Sequence, residues 1–329
     1  MSRRNVPHAF TAVDSQARPS ELVEVLKRLT AEPFYGTYKQ RLRNLLRARP
    51  GGRFLDVGAG AGDGALALRT ESGAQVVGAD SSLTMATAMK DAGLGHVVVA
   101  DGHRLPFRDS CFDGACADRV LQHVEDPARV VDEMSRVVRP GGRVVLADPD
   151  YATQVLDIED QHLAAQVLRF RAEVNLRNGT LAHRHAGMLA ARALEDIAVG
   201  AHTLVVRDPT AVDNVMGLRS WAHTAAARGH LDTADADRFV VQFDEAVSAG
   251  RFTYAVTFFV TSGTVPVAGV PAHREGIDRW RNALPPRPSP RPRRLWPAVR
   301  RAPTGRPRAP ESQRGESDEA HSRPLRRAR

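Results

Sequence analysis

Short apolar runs and amphipathic stretches take turns along the first half of the chain, and this alternation limits the folds open to it. Strand-like runs rich in Val or small residues fall at 53–57, 75–79, 96–100, 112–117 and 143–147. Helical stretches separate them at 65–70, 83–91 and 127–138, the last with Val130, Val131, Met134, Val137 and Val138 at helical spacing. Strands and helices alternating at these lengths imply βαβ units, with parallel strands covered by helices on both faces. The expected fold is therefore a doubly wound, Rossmann-like α/β domain. Two amphipathic stretches, 20–29 and 38–47, precede it. A helical section over 158–194 follows the fifth strand, then a strand-like 197–206 and two more helical segments. The run FTYAVTFFVT at 252–261 is a strong β-former.

The net charge of +8 is unevenly placed. From Arg274 onward there are sixteen Arg and six acids, leaving 30 basic against 32 acidic residues in the rest. The folded part is nearly neutral, and the basic excess belongs to a Pro/Arg-rich tail, 267–329, expected to be disordered for want of spaced apolar residues. Arg-rich segments attract phosphate without reading sequence. However, only three Lys stand against 43 Arg, and Trp280 and Trp296 are the tail's only aromatics of that size, too few for a stacking platform. A solvated tail is expected, with no nucleic-acid partner. No run of 18 apolar residues occurs, and the opening MSRRNVPHAFTAVDSQ lacks a signal-like apolar stretch, so a soluble cytoplasmic protein with no membrane partner is expected. Cys111 and Cys116 in CFDGAC match no usual zinc or redox spacing and read as reduced core thiols; no metal is expected.

The segment FLDVGAGAGDGA, from Phe54 to Ala65, places an acid inside an apolar strand and then glycine at every second position. Gly58, Gly60 and Gly62 let backbone approach a ligand closely, at a helix N-terminus that presents its amides. Such a loop suits a nucleotide-like cofactor. Gly60, Gly62 and Ala65 also satisfy a dinucleotide-binding pattern, with Asp80 about 20 residues on, so an NAD(P)-dependent oxidoreductase is one reading. Asp56 argues against it, because a carboxylate two residues before the glycines suits a cationic ligand, or hydrogen bonds to the loop's own amides, better than a pyrophosphate.

LDVGAGAG resembles the first motif of the class I S-adenosylmethionine-dependent methyltransferases. VVGADSS is similar to the second-strand motif of that family, ADGHRLPF to its adenine-contacting loop, FDGACADRVLQHVEDP to its fourth strand and exit, and VVRPGGRVVLADPD to its helix, turn and fifth strand. The resemblance runs from about Phe54 to Asp150 and is closest to the small-molecule group that includes the ubiquinone and menaquinone C-methyltransferases. It implies a seven-stranded sheet whose last, antiparallel strand is FTYAVTFFVT. It also implies a methyltransferase domain over 49–266, a lid insertion at about 151–196, and N-terminal lid helices within 1–48. S-adenosylmethionine would be the cofactor and a small molecule, from quinone or secondary metabolism, the methyl acceptor.

For the site, the resemblance implies that Asp80 accepts hydrogen bonds from ribose hydroxyls and that Asp101 recognises the adenine. Asp56, Gly58, Gly60, Ser81, Gly102 and Arg119 complete the cofactor contacts. Asp80 could instead cap the next helix, Asp101 could be a solvated loop acid, and Asp113 reads as structural. Methyl transfer to an OH, NH or activated carbon needs a base near the strand ends. His123, after the fourth strand, is the candidate catalytic residue, with Asp148 and Asp150 as alternatives and His183 and His185 as lid contributors. A nucleic-acid methyltransferase using the basic tail is a further alternative, although ADRV at the fourth-strand exit is not the motif that grips a planar amine.

Overall fold

A computed structural model describes residues 10, 12–31, 33–209 and 217–267. The tail from residue 268 onward, with its expected disorder, lies outside the described residues. Strands β1 (Arg53–Val57), β2 (Gln75–Asp80), β3 (His96–Val99), β4 (Phe112–Asp118) and β5 (Val138–Leu156) are mutually parallel. β7 (Tyr254–Thr264) pairs antiparallel with β5, and β6 (Glu195–Val206) antiparallel with β7. Together they form one sheet in the order β3-β2-β1-β4-β5-β7-β6. The seven-stranded Rossmann-like sheet and the insertion of FTYAVTFFVT beside the fifth strand are as expected.

Among the described residues the α-helices are α1 (Pro19–Ala31), α2 (Pro33–Leu46), α3 (Asp63–Ser72), α4 (Leu83–Asp91), α5 (Pro127–Val137), α6 (Gln161–Phe170), α7 (His185–Ala190), α8 (Ser220–Ala227) and α9 (Thr233–Ser248). Alternation along β1 drives two cores. Phe54 enters the layer shared with Tyr38 and Leu42 of α2, Leu68 of α3 and Met89 of α4. Leu55 enters the opposite layer, with Val130, Val131, Met134 and Val137 of α5. Full burial of one such side chain is worth about 1.5–3 kcal/mol, so β1 anchors both faces at once. Local chemistry sets the helix starts. Asp126 accepts the Arg129 amide at 3.0 Å with Pro127 in the first turn of α5, and the Ser82 hydroxyl accepts the Met85 amide at 3.2 Å ahead of α4.

The strand that departs furthest from expectation is β5. β5 runs from Val138 to Leu156, well beyond the expected 143–147. Its N-terminal end already pairs Val138 with Phe112, and its far end resumes pairing at Val155 and Leu156 with β7 after an irregularity. Tyr151 therefore belongs to the sheet, and the segment expected to leave it near residue 151 does so after Leu156. Asp113 is structural: its Oδ2 accepts the Arg53 amide at 2.8 Å, and its Oδ1 meets Arg49 and Arg139. Cys111 and Cys116 are free thiols; burial, then the neighbouring Asp56, pushes the Cys116 thiol well above its usual range.

Candidate active site

β2 and β4 flank β1 on opposite sides, so the connections leaving β1 and β4 diverge and open a crevice at the strands' C-terminal ends. A cavity of about 750 Å³ lies there. All the residues expected to hold a cofactor (Asp56, Gly58, Gly60, Asp80, Ser81, Asp101, Gly102 and Arg119) line it, and so does His123.

The glycine loop is built by hydrogen bonds from β2. The amides of Gly58 and Ala59 both donate to the Ala79 carbonyl, at 2.7 and 3.0 Å, and the Gly60 amide donates to Asp80 Oδ2 at 2.9 Å. Gly58 has φ +67°, and a Cβ there would collide with the Val120 side chain leaving β4. α1 lays Leu26 over Gly60, 3.0 Å from where a Cβ would stand. Asp80 Oδ1 accepts the Ser82 amide at 3.0 Å. Each Asp80 oxygen thus takes one backbone amide and keeps a second lone pair for a ligand facing the cavity. Burial raises Asp80 above its ordinary value, and the Ser82 and Gly60 amides oppose that rise.

Asp56 is different in kind. It is 6% exposed and accepts a weak hydrogen bond from Cys116 Sγ at 3.5 Å. Among the described residues no loop amide donates to it, so the loop-ordering task falls to Asp80. Burial, reinforced by Asp118, pushes Asp56 up to about 7 while Lys39 pulls the other way. Asp118 ends β4, accepts the Tyr38 hydroxyl at 2.9 Å and pairs with Lys39 Nζ at 3.2 Å. Asp101 is mostly exposed; its Oδ1 accepts the His103 amide at 2.9 Å and contacts His103 Nδ1 at 2.6 Å. Burial alone would raise it, but the His103 bonds prevail and hold it below the usual carboxylate range. His103 Nε2 in turn accepts the Asp126 amide at 3.1 Å, tying this loop to α5. Arg119 has φ +59° and lies 5.1 Å from the Tyr35 ring centroid. His123 is half-buried, its amide on the Val120 carbonyl at 2.9 Å and its ring 6.1 Å from that of Phe10.

The β5 acids point elsewhere. Pro149 and Tyr151 line the cavity, so alternation turns Asp148 and Asp150 to the opposite face. Asp148 is fully buried 3.4 Å from His185 Nε2; burial pushes Asp148 well up and His185 down to about 4. Asp150 accepts the Ala152 amide at 3.0 Å and the His183 amide at 2.9 Å, and contacts His183 Nδ1. As bases Asp148 and Asp150 are in the wrong place, and the pleat is the reason; His183 and His185 contact them there, outside the lining of the cavity. Sequence reasoning missed Asp14, whose carboxylate accepts the Ser82 hydroxyl at 2.7 Å and the Leu83 and Thr84 amides at 2.8 and 3.1 Å, pinning the N-terminal segment to α4. It also missed Tyr35, Tyr38 and Lys39, because their helical spacing reads as an ordinary core stripe.

Residues 55–146 match the methyltransferase domain family. Over 254 residues the chain is 34% identical to an uncharacterized 37.1 kDa protein in transposon TN4556 of Streptomyces fradiae, covering 75% of this chain and 72% of that one. It is 36% identical over 121 residues to the demethylmenaquinone methyltransferase of Corynebacterium glutamicum, covering 37% of this chain and 51% of that one. The chain belongs to the class I S-adenosylmethionine-dependent methyltransferases. It spans about half the length of the demethylmenaquinone methyltransferases it matches. Among solved structures, phosphoethanolamine N-methyltransferase 2 of Haemonchus contortus, in complex with phosphomonomethylethanolamine and S-adenosylhomocysteine, shares the fold. The TM-score is 0.51 at 16% identity, over 79% of this chain and 61% of that one. The cofactor of these methyltransferases fits the cradle: a loop closed to any Cβ at Gly58, beside a carboxylate whose two oxygens each keep an acceptor site. Among the described residues no cluster of three metal-ligating side chains occurs, and no helix is long and apolar enough to cross a membrane.

Proposed function

We propose that this methyltransferase acts on a small molecule enclosed with the cofactor in one cavity, in quinone or secondary-metabolite biosynthesis. The observation that carries this reading is continuity: the glycine loop, Asp80 and Asp101 share a single cavity of about 750 Å³ with Tyr151, Trp221 and Phe258. That volume suits a small ligand. Bound S-adenosylmethionine supplies an electrophilic methyl on a sulfonium, which leaves as a neutral thioether. In our reading Asp80 holds the ribose, with Ser81 beside it, and Asp101 and Gly102 border the adenine. Gly58 and Gly60 admit the cofactor close to the backbone, while Asp56 and Arg119 flank its amino-acid end. His123, on the segment leaving β4, accepts the acceptor's proton where one must be removed, a task suited to an imidazole at neutral pH. The His123→Gln variant should then methylate roughly 10²–10⁴-fold more slowly in a single turnover with unchanged affinity for S-adenosylhomocysteine.

The full chain, incubated with methyl-labelled cofactor and a bacterial extract, should place label in the low-molecular-weight fraction. Label confined to acid-precipitable nucleic acid or protein would overturn the small-molecule reading.

A further inference from the structure

We propose that the methyl acceptor carries an oxyanion, a carboxylate or a phosphate, that docks on Arg171. This rests on the small-molecule reading and names the substrate class it leaves open.

Arg171 directly follows α6 and opens a π-helical turn, Arg171–Asn175, a rare feature that often marks functional positions. Its side chain lines the cavity yet the residue is only 7% exposed. The guanidinium lies 4.8 Å from the Trp221 ring centroid and 5.3 Å from that of Tyr151, so both rings hold it in place. Among the described residues no carboxylate pairs with it, and its buried Nε has no hydrogen-bond partner. A buried guanidinium lacking a counter-charge is costly, and aromatic faces do not satisfy its N–H donors.

The surrounding charge sharpens the point. The acids lining the cavity are Asp56, Asp63, Asp80, Asp101, Asp118 and Glu125, all from the first half of the chain. Beyond Pro149 the described lining residues include Arg171 and Arg177 and no acid. An acceptor without negative charge would leave the Arg171 guanidinium without a counter-charge. The planar fork of an arginine instead matches two oxygens of a carboxylate or phosphate, and Tyr151 and Trp221 offer apolar surface to whatever carries them.

The test uses the full chain saturated with S-adenosylhomocysteine, titrated by calorimetry with benzoate, phenyl phosphate and the neutral isostere benzamide. At least one anion should bind about tenfold or more tightly than benzamide, as charge-assisted hydrogen bonds give. The tighter of the two anions tells carboxylate from phosphate. The Arg171→Gln variant should lose that preference while keeping its affinity for S-adenosylhomocysteine, and Arg171→Lys, which keeps charge without the fork, should recover only part of it. Equal binding of benzamide and both anions by the unaltered protein would overturn the proposal without requiring any variant to fold, as would no anion binding at all. So would an Arg171→Gln protein that melts at lower temperature yet keeps the preference, since Arg171 would then only brace Tyr151 and Trp221. Failure of S-adenosylhomocysteine itself to bind would strike at the methyltransferase reading, separately from the oxyanion.

Discussion

The two ends of the cavity are built in different ways. At the end formed by β1, β2, β3 and β4, the functional groups sit within a few residues of a strand terminus, and backbone hydrogen bonds from the neighbouring strand fix them. The glycine loop hangs on the Ala79 carbonyl and Asp80. At the other end the lining comes from one face of β5, the π-turn after α6 and helix α8, elements brought together by side-chain packing between residues far apart in sequence. The first end carries the acids, and the second carries Arg171 with Tyr151, Trp221 and Phe258. A backbone-built end should tolerate little change at its glycines, and a packing-built end should tolerate changes of charge that leave volume intact.

The sharpest way to break that contrast is Gly58→Ala. The substitution forces a side chain into left-handed backbone and into Val120. It should destabilise the protein by about 2–4 kcal/mol in denaturant unfolding and abolish measurable S-adenosylhomocysteine binding. Near-normal stability and affinity would show that the loop can move, and that its hydrogen bonds to β2 are not what sets it.

Two aspartates divide the contrast more finely. Asp80→Ala removes an acceptor of the Gly60 and Ser82 amides and, in our reading, of the ribose hydroxyls. Calorimetry should register a loss of about 1.5–3 kcal/mol in S-adenosylhomocysteine affinity. Asp150→Ala removes an acceptor of the Ala152 and His183 amides on the sheet's far face. That variant should lose about 1–3 kcal/mol of folding stability with cofactor affinity unchanged. If Asp150→Ala also weakened cofactor binding, the separation of the two β5 faces would fail.

Which parts of the site were legible in the sequence follows from the same difference. Asp80, Asp101 and the glycines follow strand runs directly, so locating the strands located them. His103 sits two residues from Asp101 in DGH, a spacing at which a side chain can reach back to the acid, so this contact is readable in the sequence. The β5 acids show the opposite failure: Asp148 and Asp150 lie near the expected strand end, but the strand continues to Leu156 and its pleat turns them away. Proximity to a strand end cannot reveal on which face a residue falls when the end is misplaced. Arg171 was not legible at all. An arginine after an amphipathic helix reads as solvated, and only the packing of Tyr151 and Trp221 around it makes it a buried cation.

The smallest expected effect comes from Asp14, which joins the N-terminal segment to the start of α4 from outside the sheet. Its carboxylate accepts the Ser82 hydroxyl and the Leu83 and Thr84 amides, acting as an added cap on a helix already capped by Ser82. The Ser82 hydroxyl bond first, then Thr84, lowers its pKa from 3.8 to about 2. A depressed folded pKa means that the stabilisation is present above the unfolded value and is lost as pH falls through the folded one. The carboxylate is exposed, so solvent screening keeps the effect modest. Asp14→Ala should cost about 0.5–1 kcal/mol near neutral pH, and the difference from the unaltered protein should vanish as pH falls from about 4 toward about 2. Unfolding measured across that range checks both the size and the sign. Val13 packs with Ala61 of the glycine loop and Met85 of α4, so releasing this segment should also loosen the loop's cover and weaken S-adenosylhomocysteine binding slightly. A variant with a flat difference across the acid range would mean that Asp14 acts through packing of the segment and not through its charge.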